Sequence, residues 1–262
     1  MTEHIESGGE SGDDTTDYNT ANGYNSSPNT YTLTSTSLTE EFLNRFNRSN
    51  GYKDTSTNTI LYLGDIVKIR RGIADVEWMI AGFDVEHNQT AADGTVYDNG
   101  YGIALIPSNK NNIPSTVWNS SGTTSGGYLN SYANTYSCTL AYLNSSDALG
   151  NHIINRNVLL SSSNMPIAAG VSSAYTWTNA YGTLLNETQL TGAVDTVNKY
   201  DRGEANYKLP LFNHRSYYMG SQYWLRSLYS KTAAVFVADT TETMNANTTT
   251  YSLGFRPLIY IR

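Results

Sequence analysis

Charge is scarce in this 262-residue chain: Asp, Glu, Lys and Arg make up only 15% of it. Sixteen basic against 23 acidic side chains leave a formal net charge of −7. Six acids, Glu3, Glu6, Glu10, Asp13, Asp14 and Asp17, lie in an opening segment without Lys or Arg, so the remainder carries −7 + 6 = −1. A nearly neutral body with no basic cluster has no summed field to attract nucleic acid or an anionic membrane, and neither is expected as a partner. One cysteine, Cys138, excludes an internal disulfide framework and a Cys-rich metal site. No run approaches the ~20 apolar residues that span a bilayer, so membrane insertion is not expected. The start lacks the basic and apolar stretches of a secretory signal, so conventional export is not expected either.

Familiar catalytic patterns are also missing. His4, His87, His152 and His214 are far apart, and none pairs with another His or Cys at helical metal-site spacing. There is no G-x-S-x-G elbow, phosphate loop or dinucleotide fingerprint, so no catalytic residue and no cofactor is assigned. A carboxylate pair of the kind glycosidases use stays open. Its candidates, Glu77, Asp84, Glu86, Glu187, Asp195 and Glu204, cannot be ranked by sequence alone.

What the chain does have is 39% hydrophobic and 12% aromatic residues, enough for a real core. Its polarity is carried by 28 Asn, 21 Tyr, Thr, Ser and Gly. Tyr offers wide contact at low entropy cost while Ser, Gly and Asn offer adaptable hydrogen bonds, a mixture typical of binding loops.

Residues 1–36 are poor in aliphatics and rich in Ser, Thr, Gly, Asn and acids, which reads as an extended arm or linker unable to fold alone. In "SLTEEFLNRFNRSNGY", Ser37 and Glu40 have capping-box spacing, Leu38, Phe42 and Phe46 share a face, and Gly51 stops the helix. "TILYLGDIVKI", "VEWMIAGFDVEH" and "YGIALIPSN" read as strands. The spacing of Tyr128, Tyr132, Tyr136, Leu140 and Leu143 predicts a helix over 126–150 packing an aromatic stripe inward. "HIINRNVLLSS" reads as a strand or turn, "YGTLLNETQLTG" as a helical piece, and 207–262 as strands again. Helices in the middle and strands at both ends predict an α+β domain over 37–262 with an antiparallel sheet.

Two arginines sit in strongly apolar text, Arg226 in "YWLRSLYS" and Arg256 in "GFRPLIYIR". A buried guanidinium needs carboxylates or backbone carbonyls for its donors, so both read as structural clamps. Pro257, lacking a ladder donor, fits the entry of the final strand. Between them "TAAVFVAD" is a strand and "TTETMNANTTTYS" a polar run, the pattern of a rigid frame presenting exposed loops.

"YWLRS" followed by "GFRPLIYI" resembles the signature of a bacterial and phage family with a C-type-lectin-like fold. "WMIAGFDV", "GGYLNSYANTYSCTLAYLNSSDALGNHII", "LLNETQLTG" and "YKLPLFN" agree with it in order, over about 60–262. The resemblance implies small antiparallel sheets with flanking helices, first and last strands paired so that Trp78 to Val85 lie beside Leu258 to Arg262, and a non-enzymatic receptor-binding role at a phage tail tip or fibre. Some relatives diversify the segment between the two motifs through a retroelement. Carried over, the ligand-contact set is Leu228, Tyr229, Ser230, Lys231, Thr240, Thr241, Thr243, Asn245, Asn247, Thr248 and Tyr251, with Trp224, Arg226, Gly254, Arg256 and Pro257 as scaffold. Leu228 stands where relatives often carry proline, and no Gly lies near Thr241. The implied partners are a bacterial surface receptor, glycan or protein, tail proteins docked on the arm, and sister subunits of a homotrimer. The implied location is the virion, with a bacterial surface adhesin as alternative. A glycan-cleaving tail enzyme is a further one. Formylglycine-generating enzymes of the same broad fold need two active-site cysteines, and Cys138 is alone. Whether an ion such as Ca²⁺ orders a loop is left open.

Overall fold

A computed structural model describes residues 16–71, 73–91, 94–108, 115–137, 148–163, 175–192, 207–216, 220–229, 234–238 and 244–262. In chain order these supply α1 (Tyr18–Asn22), β1 (Thr30–Leu33), α2 (Thr36–Arg45), β2 (Ile66–Arg71), β3 (Ala74–Phe83), β4 (Asn88–Thr90), β5 (Val96–Asp98), β6 (Ile103–Pro107) and β7 (Ser115–Val117). There follow α3 (Tyr132–Ser137), β8 (Arg156–Ser161), β9 (Tyr175–Ala180), β10 (Gly182–Leu184), α4 (Glu187–Thr191), β11 (Tyr223–Leu228), β12 (Ala234–Ala238), β13 (Met244–Thr248), β14 (Ser252–Phe255) and β15 (Pro257–Ile261). The protein is α+β, with several sheets and few, short helices.

The larger sheet has six strands in the order β1-β2-β3-β6-β15-β10. Its central strands β6, "IALIP", and β15, "PLIYI", are buried at every position, which is why they read as continuous apolar runs instead of alternating ones. Pro257 opens β15 as its missing donor requires. The smaller sheet runs β13-β12-β11-β14-β7, and two hairpins, β4–β5 and β8–β9, complete the set.

Several sequence expectations change here. The first and last strands of the expected pair do not touch directly: β6 lies between them, bonded to β3 on one side and β15 on the other. Pairing is also not wholly antiparallel, since β1–β2 and β11–β14 are parallel. Residues 16–36 are not a free arm. Asp17 caps α1, β1 joins the edge of the larger sheet, and the buried carboxylate of Asp65 gathers this segment by accepting from Asn29 N–H at 2.8 Å and Asn25 Nδ2 at 3.1 Å. Low hydrophobicity hid this because the docking is polar.

The leading helix is capped by Ser35, whose hydroxyl accepts from Leu38 N–H, instead of by Ser37. That shift turns Leu38 outward, at 39% exposure, while Phe42 and Phe46 enter the core. Gly51, in the left-handed region, ends a following 3₁₀ turn, Arg48–Asn50. The aromatic stripe is shorter than its periodicity: α3 begins only at Tyr132, which points outward, and Leu140 and Leu143 lie outside the described residues. Tyr128 is buried in the preceding turn, where its hydroxyl accepts from Leu184 N–H at 3.0 Å. Gly127 makes that turn possible, because a Cβ there would collide with Ser161 backbone. The segment "YGTLLNETQLTG" divides into β10 and α4, whose Asn186 and Gln189 form a reciprocal capping box.

Candidate recognition surface

The two arginine motifs meet in the smaller sheet. β11 and β14 run parallel with Tyr223 opposite Gly254 and Trp224 opposite Phe255, so "YWLRS" and "GF" are neighbours despite some thirty intervening residues. Trp224, fully buried, donates from its indole to Thr116 O at 2.8 Å and so ties in β7. Arg226 is buried and donates to Thr183 Oγ1 at 2.9 Å and Leu184 O at 3.1 Å, which clamps β11 to β10 of the larger sheet. Arg256 donates to Pro107 O at 2.9 Å, with Phe212 and Tyr223 rings beside its guanidinium. Its pKa is lowered, burial outweighing the favourable contribution of Tyr223. Both arginines are internal clamps, as their apolar setting predicts.

A third buried arginine completes this frame. Arg156, on β8, ion-pairs with Glu86 and lies 3.3 Å over the Tyr260 ring. Glu86 also accepts from Tyr260 Oη at 3.1 Å and Gln189 Nε2 at 3.2 Å, and Gln189 reaches Tyr207 Oη at 3.1 Å. Burial raises the Glu86 pKa, but the Arg156 and Arg226 guanidinium groups outweigh it and hold the carboxyl below its ordinary value. Sequence reading missed this hub, although Arg156 in "INRNVLLSS" has the same apolar flanks that drew attention to Arg226. Glu86 had no comparable signal.

The frame holds the β12–β13 hairpin and the turn into β14. Register places Leu228, Val235 and Asn247 in one row across β11, β12 and β13. Tyr229 follows at the end of β11, 45% exposed, and Tyr251 stands in the next turn at 57%. Asn245 and Thr248 are exposed and Asn247 half-buried. Leu228 leaves the predicted contact set: it is 0% exposed and belongs to the core, where it lies opposite Val235. Ser230, Lys231, Thr240, Thr241 and Thr243 lie outside the described residues. The structure therefore brings Tyr229, Asn247, Thr248 and Tyr251 to one end of the hairpin, with Asn245 two positions along β13.

β13 is an edge strand, and its edge is closed in a particular way. Asn245 Oδ1 accepts from Ala246 N–H at 2.8 Å, and Asn247 Oδ1 from Thr248 N–H at 2.9 Å. These alternate donors lie on one side of the strand and are satisfied by side chains instead of β12 carbonyls, which places them on the open edge. The asparagines thereby occupy groups that another strand would use.

The six acids considered for catalysis do not form one described constellation. Glu77 pairs with Lys68 at 3.1 Å, Asp84 with Arg48 at 3.1 Å and Glu86 with Arg156, while Glu187 is buried at the start of α4. Asp195 and Glu204 lie outside the described residues. Among the described residues no three His, Cys, Asp or Glu side chains converge as metal ligands, and no helix is long and apolar enough to cross a membrane. Compared with protein-family models, curated proteins and solved structures, the chain finds no match.

Proposed function

We propose that this chain is a non-enzymatic receptor-binding protein of a phage tail tip or fibre, with a C-type-lectin-like fold, that recognises a bacterial surface molecule through its Tyr/Thr/Asn face. The observation that carries the reading is the contrast between a hairpin end with exposed Tyr229, Thr248 and Tyr251 and the buried Trp224, Arg226 and Arg256 beneath it. Two tyrosines stand exposed at the same end of the hairpin above a buried frame, and tyrosine is a preferred anchor of recognition surfaces. The α+β architecture and the side-by-side motifs support the family resemblance, and the virion location and trimeric assembly follow from that resemblance alone.

The test is adsorption of the purified chain to a panel of bacterial cells and arrayed surface glycans. A triple variant, Tyr229→Ala, Asn245→Ala, Tyr251→Ala, is expected to keep its fold and lose at least tenfold in binding, about 1.4 kcal/mol. Unchanged adsorption by a folded triple variant removes this face from the function.

A further inference from the structure

Three of the four tryptophans, Trp78, Trp118 and Trp224, are buried in the core. Trp177 is the exception. It lies half-buried on β9, its ring 4.5 Å from that of the half-buried Tyr97 on β5, with 32° between the planes. Among the described residues neither ring packs against the hydrophobic core, and β5 and β9 belong to small hairpins outside both main sheets. This aromatic pair therefore does not serve the packing that buries the other tryptophans.

The pair is nonetheless held in place. Buried Asn99, just past the end of β5, grips β8: its Nδ2 donates to Asn157 O at 3.0 Å and its Oδ1 accepts from Asn157 N–H at 2.8 Å, which fixes the β4–β5 hairpin beside β8–β9. Register and pleat then decide which side chains share the aromatic face. Trp177 stands opposite Leu159 and Asn179 opposite Asn157, two positions along and so on the same face, while Arg156, Val158 and Leu160 turn inward. Gln89 stands opposite Tyr97. The charged residues of these four strands, Asp98 and Arg156, both alternate onto the other faces. Among the described residues the Trp177 indole N–H and the side-chain amides of Asn157 and Asn179 make no hydrogen bond, so their donors and acceptors stay available.

Half-exposed aromatic surface flanked by neutral amides selects an uncharged, amphipathic occupant. A charged ligand finds no counter-charge on this face, and a plain hydrocarbon leaves the amides unmatched. The negative face of an aromatic ring attracts partly positive C–H groups, and each amide offers two donors and an acceptor to neighbouring hydroxyls. We infer that this patch binds a neutral pyranose, its axial C–H groups resting on the part of Trp177 that Tyr97 leaves open and its hydroxyls bonded to Asn157, Asn179 and Gln89. Trp and Tyr are enriched among the side chains that carry binding energy at contact surfaces. The patch shares no residue with the Tyr229–Tyr251 face, so it is a second binding site.

Cellotriose, a neutral β-linked glucose trimer whose ring C–H groups are all axial, is the probe. Titrated into the full chain, it should bind saturably by calorimetry and shield tryptophan fluorescence from acrylamide, a signal that reports Trp177 because the other three tryptophans are buried. Trp177→Leu keeps an apolar residue opposite Leu159 and is expected to weaken binding at least about tenfold by calorimetry. Asn179→Ala, an exposed change that leaves the fold intact, is expected to weaken it about fivefold. The inference is overturned if cellotriose does not saturate by about 20 mM, if binding leaves acrylamide quenching unchanged, if Asn179→Ala or a folded Trp177→Leu binds like the parent, or if a proline hexapeptide binds more tightly than the sugar. The variant with Tyr229→Ala, Asn245→Ala and Tyr251→Ala retains every residue of this patch and should bind cellotriose like the parent, whatever it does to cell adsorption. The two readings therefore fail separately.

Discussion

Single buried charges decide where this protein is vulnerable. Glu86 and Arg156 are almost completely buried, and removing one partner strands the other in a medium that solvates it poorly. Glu86→Gln or Arg156→Met is expected to cost about 3–5 kcal/mol in urea unfolding, whereas Glu86→Leu with Arg156→Met together should cost less than the sum. The pH dependence has a definite sign. Because the folded Glu86 pKa lies below its ordinary 4.5, its contribution is fully present above that value and is lost as pH falls through the lowered one. Asp84 acts oppositely: burial raises its pKa above 3.8, and the Tyr52 hydroxyl, Gly102 N–H and Arg48 offset only part of that, so its contribution is present below 3.8 and lost as pH rises through the raised value. Urea midpoints of the parent and Glu86→Gln, compared pH by pH, cancel the Asp84 effect. Their gap should be widest above pH 4.5 and close on acidification, and a constant gap would show that Glu86 does not carry this linkage.

At the scale of elements, edges matter most. On β13 the Asn245 and Asn247 side chains occupy the donors of Ala246 and Thr248. Asn245→Ala with Asn247→Ala frees both donors on an edge strand without touching the core, and self-association rising with concentration in analytical ultracentrifugation is the expected result. A variant that stays as dispersed as the parent shows that the edge is protected by something else. In the larger sheet the β1 edge depends on Asp65, which accepts from Asn25, Asn29 and Tyr62. Asp65→Ala is expected to cost about 2–3 kcal/mol and to raise hydrogen exchange selectively over residues 24–33, since hydrogen bonds to a buried carboxylate are among the stronger kind.

For the molecule as a whole, residues 16–36 act as part of the domain. Deleting residues 1–36 strips β1 from β2 and uncovers Phe42 and Phe46, against which Tyr31 packs at 5.4 and 5.3 Å. A loss of about 4 kcal/mol, or roughly 10 °C in melting temperature, is expected for that deletion. A melting temperature within a degree or two of the parent would restore the reading of these residues as a detachable arm.

Much of the architecture is already legible in local chemistry. The continuous apolar runs of β6 and β15, the Asn186–Gln189 box, Pro257 at a strand entry, and Arg226 and Arg256 as internal clamps all follow from rules acting within a few residues. Three residues resisted such rules for identifiable reasons. Leu228 is apolar beside a polar run, so only its register opposite Val235 shows that it faces inward. Asn25 and Asn29 look like linker residues until Asp65, some 40 positions away, meets them.

Composition and short-range pattern by themselves determined that this chain folds as α+β, keeps a nearly neutral body and places apolar strands around two buried arginines. Tertiary structure alone decided that β6 separates β3 from β15, that Glu86 joins Arg156, and which tyrosines stay in solvent. The physical reason is range. Helix caps, strand runs and proline act on neighbouring residues, whereas strand order and the buried Glu86–Arg156 pair depend on residues brought together from far along the chain, 70 positions in that pair.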